Sequence, residues 1–257
     1  MKLCGICGEY AQLVRCHVYP RSMTLEAAGP ERQLVSLAAH EAGTRVAWAR
    51  GGLFDDEIVC ADCERRFKRA DDYAIEFRKA TLALSGRCFF ELGSIAFPSF
   101  TADAALLHKF ALTTLLRCHL STRHEHSQVS IDGLASKLTS AVLADQETIS
   151  WGPEVCFIVT TGPLGSMAAS PAFRDLPDFP LYELRLPNFT MAIAASDRGL
   201  MPGFSHIALK KDQKVTVWRR RRPMEIELEG ARHMFAETDE RTERMFAKRH
   251  NRRRHKS

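Results

Sequence analysis

The sequence predicts an α+β fold: a cysteine-stapled N-terminal module, then helices packed on an antiparallel sheet. Three observations lead there. Two Cys-x-x-Cys pairs, Cys4/Cys7 and Cys60/Cys63, bracket the first quarter of the chain. Apolar residues then recur at helical spacing as far as about residue 145. Beyond that point the period drops to that of strands, with Pro and Gly turns between them. With 257 residues, 45% hydrophobic and 26% charged, the chain can bury a sizeable core. No apolar run reaches bilayer length, and Met1-Lys2-Leu3-Cys4 leads into a cysteine motif rather than a signal-peptide core. The expectation is a cytoplasmic protein with no membrane partner, in a reducing compartment where eight cysteines do not form a disulfide framework.

The elements follow in order. Cys4-Gly5-Ile6-Cys7-Gly8 has the small residues of a metal-binding knuckle, and Gly8 can take the positive φ the turn needs. Residues 33–38 and 45–48 read as extended, with Gly43 and Gly51-Gly52 as turns. The second cysteine pair opens a helix: Phe67, Ala70, Ala74 and Phe77 form its apolar face, with Arg65, Arg66, Lys68 and Arg69 around it. Residues 81–150 read as mainly helical, with Thr101 as an N-cap and Asp103 in the first turn. Apolar residues cover most of the circumference over 106–120, which predicts a buried helix. Ile131, Leu134, Leu138, Ala141 and Val142 predict an amphipathic one. Strands are expected at 155–160, 181–186, 189–195, 206–210, 214–218 and 225–228, forming an antiparallel meander. A charged helix from about Glu237 and a basic tail complete the chain. This divides it into a zinc module at 1–80, a helix-and-sheet region at 81–230 and a charged segment at 231–257.

Four thiolates at Cys4, Cys7, Cys60 and Cys63 match the tetrahedral preference of zinc in a closed, structural site. The competing reading, a redox dithiol, expects a single pair near a βαβ pattern, which is absent. A knuckle pair followed by a pair at a helix start is the treble-clef arrangement, related to the ββα-metal fold. Cys88, Cys118 and Cys156 sit among apolar neighbours and read as buried small hydrophobes.

Charge is segregated. Net charge is +5, yet Lys210, Lys211, Lys214, Arg219, Arg220, Arg221 and Arg222 form one basic stretch, opposed only by Asp212. A second stretch, over 241–256, includes Arg252, Arg253 and Arg254. Two such patches point to a polyanion, here a nucleic acid with DNA before RNA. The bland alternative is a solvated tail plus a charge-protected edge strand.

Cys16-His17-Val18-Tyr19-Pro20 follows the first cysteine pair. Here the sequence resembles HNH (His-Asn-His) endonucleases, and within them a bacterial and phage subgroup carrying CxxC, a Ser-His-x-x-Pro-like element and Cys-x-x-Cys-Glu. The specific motifs cover about the first 80 residues. The resemblance implies a metal-dependent hydrolase of nucleic-acid phosphodiesters, with His17 as general base. A magnesium or manganese ion would lie near Glu64 and Asp56 (or Asp55). The chain departs from the pattern at three points. Cys16 stands where the family has a metal ligand, Asp55-Asp56-Glu57 where its middle Asn lies, and Glu64 where many members have His or Asn. Cys16 reads as a fifth zinc-site thiol, a swapped ligand or a core residue. Glu64 equally favours a helix N-terminus, and Asp55 and Asp56 can be turn residues. His124-Glu125-His126 looks like a ligand cluster but falls in a polar loop without an obvious partner. The alternative function is a non-catalytic zinc-containing nucleic-acid-binding or adaptor protein built on a degenerate site of this type.

Overall fold

A computed structural model describes residues 1–25, 33–40, 43–50, 53–83, 91–92, 95–96, 99–126, 129–160 and 169–220. A short ribbon, β1 (Lys2–Leu3) and β2 (Tyr10–Ala11), flanks the first cysteine pair. Strand β3 (Leu13–His17) runs into helix α1 (Arg21–Leu25). Strands β4 (Gln33–His40) and β5 (Gly43–Arg50), which contain the two stretches expected to be extended, pair antiparallel, with Gly43 the first residue of β5. Strand β6 (Phe54–Cys60) pairs antiparallel with β3 and leads directly into α2 (Ala61–Ala83). Phe67, Ala70, Ala74 and Phe77 form the buried stripe of α2, as their spacing predicts.

Three short strands follow α2: β7 (Glu91–Leu92), β8 (Ile95–Ala96) and β9 (Ser99–Phe100). The expectation of helix from 81 therefore gives way at 91–92, 95–96 and 99–100, where these pieces extend the sheet. Helix α3 (Ala104–Leu120) is buried on nearly every side. Its N-cap is Asp103 rather than Thr101, because the helix begins at Ala104 and the Asp103 carboxylate, directly before it, accepts from Leu106 N at 3.0 Å. Helix α4 (Asp132–Leu143) buries Leu138, Ala141 and Val142.

Among the described residues the main sheet holds eight strands. Its order is β11 (Ala169–Arg174), β12 (Leu181–Leu186), β13 (Phe189–Ala194), β10 (Val155–Thr160), β14 (Val215–Arg220), β8 and β7, with β9 also on β14. β12 and β13 pair as the predicted antiparallel meander, β11 adds to β12 as a strand not expected from the sequence, and β10 adds antiparallel to β13. β14, however, lies parallel to β10, so the sheet is mixed. The chain reaches it through helix α5 (Pro202–Ser205) and a turn, where a strand over 206–210 was expected. Ile207, Ala208 and Leu209 are buried there as a packed turn, with Leu209 N donating to Val155 O at 2.7 Å. The expected strand at 225–228 and helix from Glu237 lie outside the described residues.

One continuous core runs from the cysteines through α2 and α3 to the sheet. Phe157 and Phe189 stack at 4.9 Å, and Phe77 of α2 meets both. The helix that begins at Cys60/Cys63 thus ends against the sheet, crossing residue 80 without a break. A smaller cluster around Cys156, Leu200 and Ile207 covers the other face. Cys118 and Cys156 are fully buried, as expected for small hydrophobes. No helix among the described residues is long and apolar enough to cross a membrane.

Candidate metal centre and adjoining site

The knuckle is built by local backbone bonds. Cys4 N donates to Glu9 O and Gly8 N to Cys4 O, both at 2.9 Å, and Gly8 takes φ +72°. Gly5 N donates to Ile58 O at 2.8 Å, tying the knuckle to β6. A Cβ at Gly5 would come within 3.1 Å of that same carbonyl, so this close approach needs glycine. Cys60 closes β6 and Cys63 lies in the first turn of α2, which brings the second pair underneath the first.

The four sulfur atoms lie within 4.8 Å of one another, with Cys7 Sγ and Cys60 Sγ 3.9 Å apart. Tetrahedral zinc with Zn–S near 2.3 Å places sulfurs about 3.8 Å apart. The donor set and spacing therefore fit a metal ion such as zinc. Cys4, Cys60 and Cys63 are buried and Cys7 is half-buried. Burial opposes ionisation of Cys4, yet N–H groups of Cys7, Cys60 and Ile6 bring its thiol down to about 7. Cys63 is pushed up by burial and by the neighbouring thiols. Four thiolates at this spacing repel strongly, and a divalent cation is the charge that would hold them together.

His17 ends β3, where it pairs with Phe54 at the end of the β3–β6 ladder away from the Leu13/Cys60 pair. Cys16 faces inward with 0% exposure, whereas His17 is half-buried and packs edge-on to Phe54 at 6.3 Å. The His17 carbonyl accepts from Arg117 Nη1 at 3.1 Å and lies 3.9 Å from the Cys16 thiol, and the Glu64 carboxylate is near enough to the Cys16 thiol and the His17 N–H for both to favour its charged form. Burial raises the pKa of Glu64, an effect partly offset by the Cys16 bond and the Arg117 charge. The buried Glu64 Oε2 has no hydrogen-bond partner. Burial also keeps the Cys16 thiol protonated. Cys16 does not join the four-sulfur group, and of its three readings the core residue is the one this environment favours.

Arg117, fully buried in α3, carries no signal in the motif itself. It forms a bidentate pair with Asp71 of α2 at 2.7 and 2.8 Å, donates to Thr114 Oγ1 and lies over the Phe67 ring. The clue was available, because an arginine in a helix whose apolar residues cover most of the circumference over 106–120 needs a partner where it is buried.

The adjacent carboxylates of β6 part company. Asp55 is 3% exposed and fully committed: Oδ1 accepts from Glu57 N, and Oδ2 from Ser121 Oγ, Thr122 N and Thr122 Oγ1. Burial opposes its charge, but these donors lower its pKa overall. Asp56 is exposed on the bulge where the β3–β6 register shifts. Among the described residues, His17, Glu64 and Asp56 do not form a second ligand cluster like that of the cysteines. The His124–His126 segment is a single 3-10 turn. His126 is buried there, its Nδ1 2.9 Å from Ser121 Oγ and its ring against Tyr19.

Lys210, Lys211 and Lys214 are exposed before β14, and Lys211 pairs with Glu147. Arg219 is only 7% exposed, in a strand flanked by β10 and β8. Arg220 ends that strand; Arg221, Arg222, Arg252, Arg253 and Arg254 lie outside the described residues.

Two buried histidines make the fold acid-sensitive. His108 Nε2 donates to Pro153 O at 2.9 Å while Nδ1 accepts from Thr148 Oγ1 at 2.8 Å, an arrangement that suits the neutral ring. Burial lowers both His108 and His126 to about 4. The unfolded chain, titrating near 6.5, binds more protons below that pH, so stability falls as pH drops from about 6.5 towards 4. Each ring is expected to remove about 2 kcal/mol on going from pH 7.5 to pH 5. Urea unfolding at the two pH values, with imidazole titration by NMR, checks this; rings titrating near 6.5 would contradict it.

Comparison with known proteins adds no relative: no family model, curated protein or solved structure matches this chain.

Proposed function

We propose that the chain is a metal-dependent endonuclease of the HNH type that hydrolyses nucleic-acid phosphodiester bonds. One observation carries the reading: His17 sits half-buried at the end of β3, its carbonyl held by the buried Arg117 and Glu64 near its N–H, on a strand paired with the one that ends in Cys60 of the four-cysteine group. Zinc at Cys4, Cys7, Cys60 and Cys63 has a structural role in a treble-clef module, with no coordination position left for substrate. The His17 imidazole takes the proton of a water attacking the phosphate, and the packed Phe54 edge limits the ring's orientations. Glu64, with a buried carboxylate oxygen still without a partner, is the residue that would hold a magnesium or manganese ion. Such an ion would neutralise charge on the phosphate and the departing oxygen. Asp56 would join only when substrate or ion draws it in. The exposed Lys210, Lys211 and Lys214 before β14 would grip the backbone without reading sequence.

A second reading, a non-catalytic nucleic-acid-binding scaffold, is favoured by one specific feature. Asp55 is consumed by four hydrogen bonds and Cys16 stays a neutral thiol, which leaves, of the residues considered for a catalytic ion, only the half-buried Glu64 and the exposed Asp56.

Cleavage of plasmid, single-stranded DNA and RNA separates the two. Wild type and His17→Ala, both zinc-loaded and folded, are compared with magnesium, manganese or EDTA. The nuclease reading expects metal-dependent cleavage that falls by about 10²–10⁴ in His17→Ala. Binding without cleavage in every condition supports the scaffold.

A further inference from the structure

Arg15 and His17 stand two residues apart on β3, with the fully buried Cys16 between them, so both project from the outer face of the β3–β6 ribbon. Arg15 is exposed, and its guanidinium lies 4.0 Å over the centroid of Phe54. The Phe54 ring in turn meets the His17 imidazole at 6.3 Å and 62°. Cation, aromatic ring and imidazole therefore form one row. Among the described residues Arg15 makes no salt bridge, whereas the neighbouring bulge acid Glu57 pairs with Lys2 and Asp56 is exposed. Stacking occupies the flat face of a guanidinium and leaves its N–H edge open, the edge that forks a phosphate.

We propose that Arg15, held flat by Phe54, is a phosphate clamp for a nucleic-acid strand laid across His17. The clamp rests on the nuclease reading for its purpose, but its ligand is the sugar-phosphate backbone whether or not the strand is cut. It takes the phosphate next to the one His17 faces, so it sets the strand's register on the site. Arg15 is a positioning residue; it moves no proton.

The test is binding of a fluorescein-labelled single-stranded oligonucleotide, without added divalent ion, over a KCl series. Full-length zinc-loaded wild type is compared with R15Q, R15K, F54L and, as a remote exposed arginine, R198Q. Circular dichroism and zinc content confirm that each variant is folded. R15Q is expected to bind about five-fold more weakly and to lower the slope of log K against log salt by about 0.7. R15K should keep that slope and lose about three-fold in affinity, because an ammonium cannot stack and fork together. F54L should fall between them, and R198Q should match wild type. Unchanged affinity and slope in R15Q overturn the clamp, even if His17 proves essential for cleavage. Failure of wild type to bind at low salt also overturns it. Weakened binding by R15Q in a protein that never cleaves would retain the clamp and discard the nuclease reading.

Discussion

Removing the metal, or replacing Cys63 with serine, is expected to dissolve the N-terminal module and abolish cooperative unfolding of the chain. Cys63 is the first-turn residue of α2, and that helix supplies Phe67, Ala70, Ala74 and Phe77 to the shared core. Structural zinc in small modules contributes roughly 10–16 kcal/mol of apparent binding energy, as much as the whole net stability of a typical domain. The knuckle has little else to hold it, since β1 and β2 are two residues long and Leu3 and Tyr10 are exposed. Chelation followed by circular dichroism and amide NMR should show loss of the β3–β6 and knuckle signals and partial loss of helix. Apo protein that melts within a few degrees of holo protein would mean that the cysteines do not staple the fold.

Arg117→Met should be the most damaging substitution away from the metal. Arg117 is 0% exposed, and its partner Asp71 is largely buried, with 16% of its side chain exposed. Breaking such a pair from one side leaves a buried uncompensated charge and costs about 3–5 kcal/mol. For a chain of this size that corresponds to a fall in Tm of roughly 10 °C. The substitution also frees the His17 carbonyl. Arg117→Met combined with Asp71→Leu should recover much of the stability, because an apolar pair needs no desolvation. It should not restore the His17 main-chain chemical shifts. Recovery of both would show that the pair does not position His17; a single variant with wild-type Tm would show that it is not a buried pair in solution.

What could be read in advance follows the range of the interactions. The knuckle and the α2 stripe depend on spacings of three and four residues, so the sequence shows them directly. The buried α3 was legible from its all-round apolarity. β11 was missed because Pro171 argues against a strand; the structure resolves this by placing it at the sheet edge with a register shift beside the proline. The 206–210 run was misread for the opposite reason, since burial alone cannot tell a packed turn from a strand. The parallel β10–β14 pairing is a property of the assembled sheet and leaves no local mark. At the site, His17 and Glu64 were visible through their motifs. The hold on His17 was not, because Arg117 lies 100 residues away. Asp55 and Asp56 look alike in sequence, and strand alternation with a bulge buries one and exposes the other.

Every role given to His17 depends on four thiolates holding one ion in the module that carries its strand. X-ray absorption at the zinc edge, on protein purified without added metal, tests that directly. One zinc per chain with four sulfur neighbours at about 2.3 Å is the expected result. Fewer than four sulfurs, an oxygen or nitrogen ligand in their place, or no stoichiometric metal would contradict it.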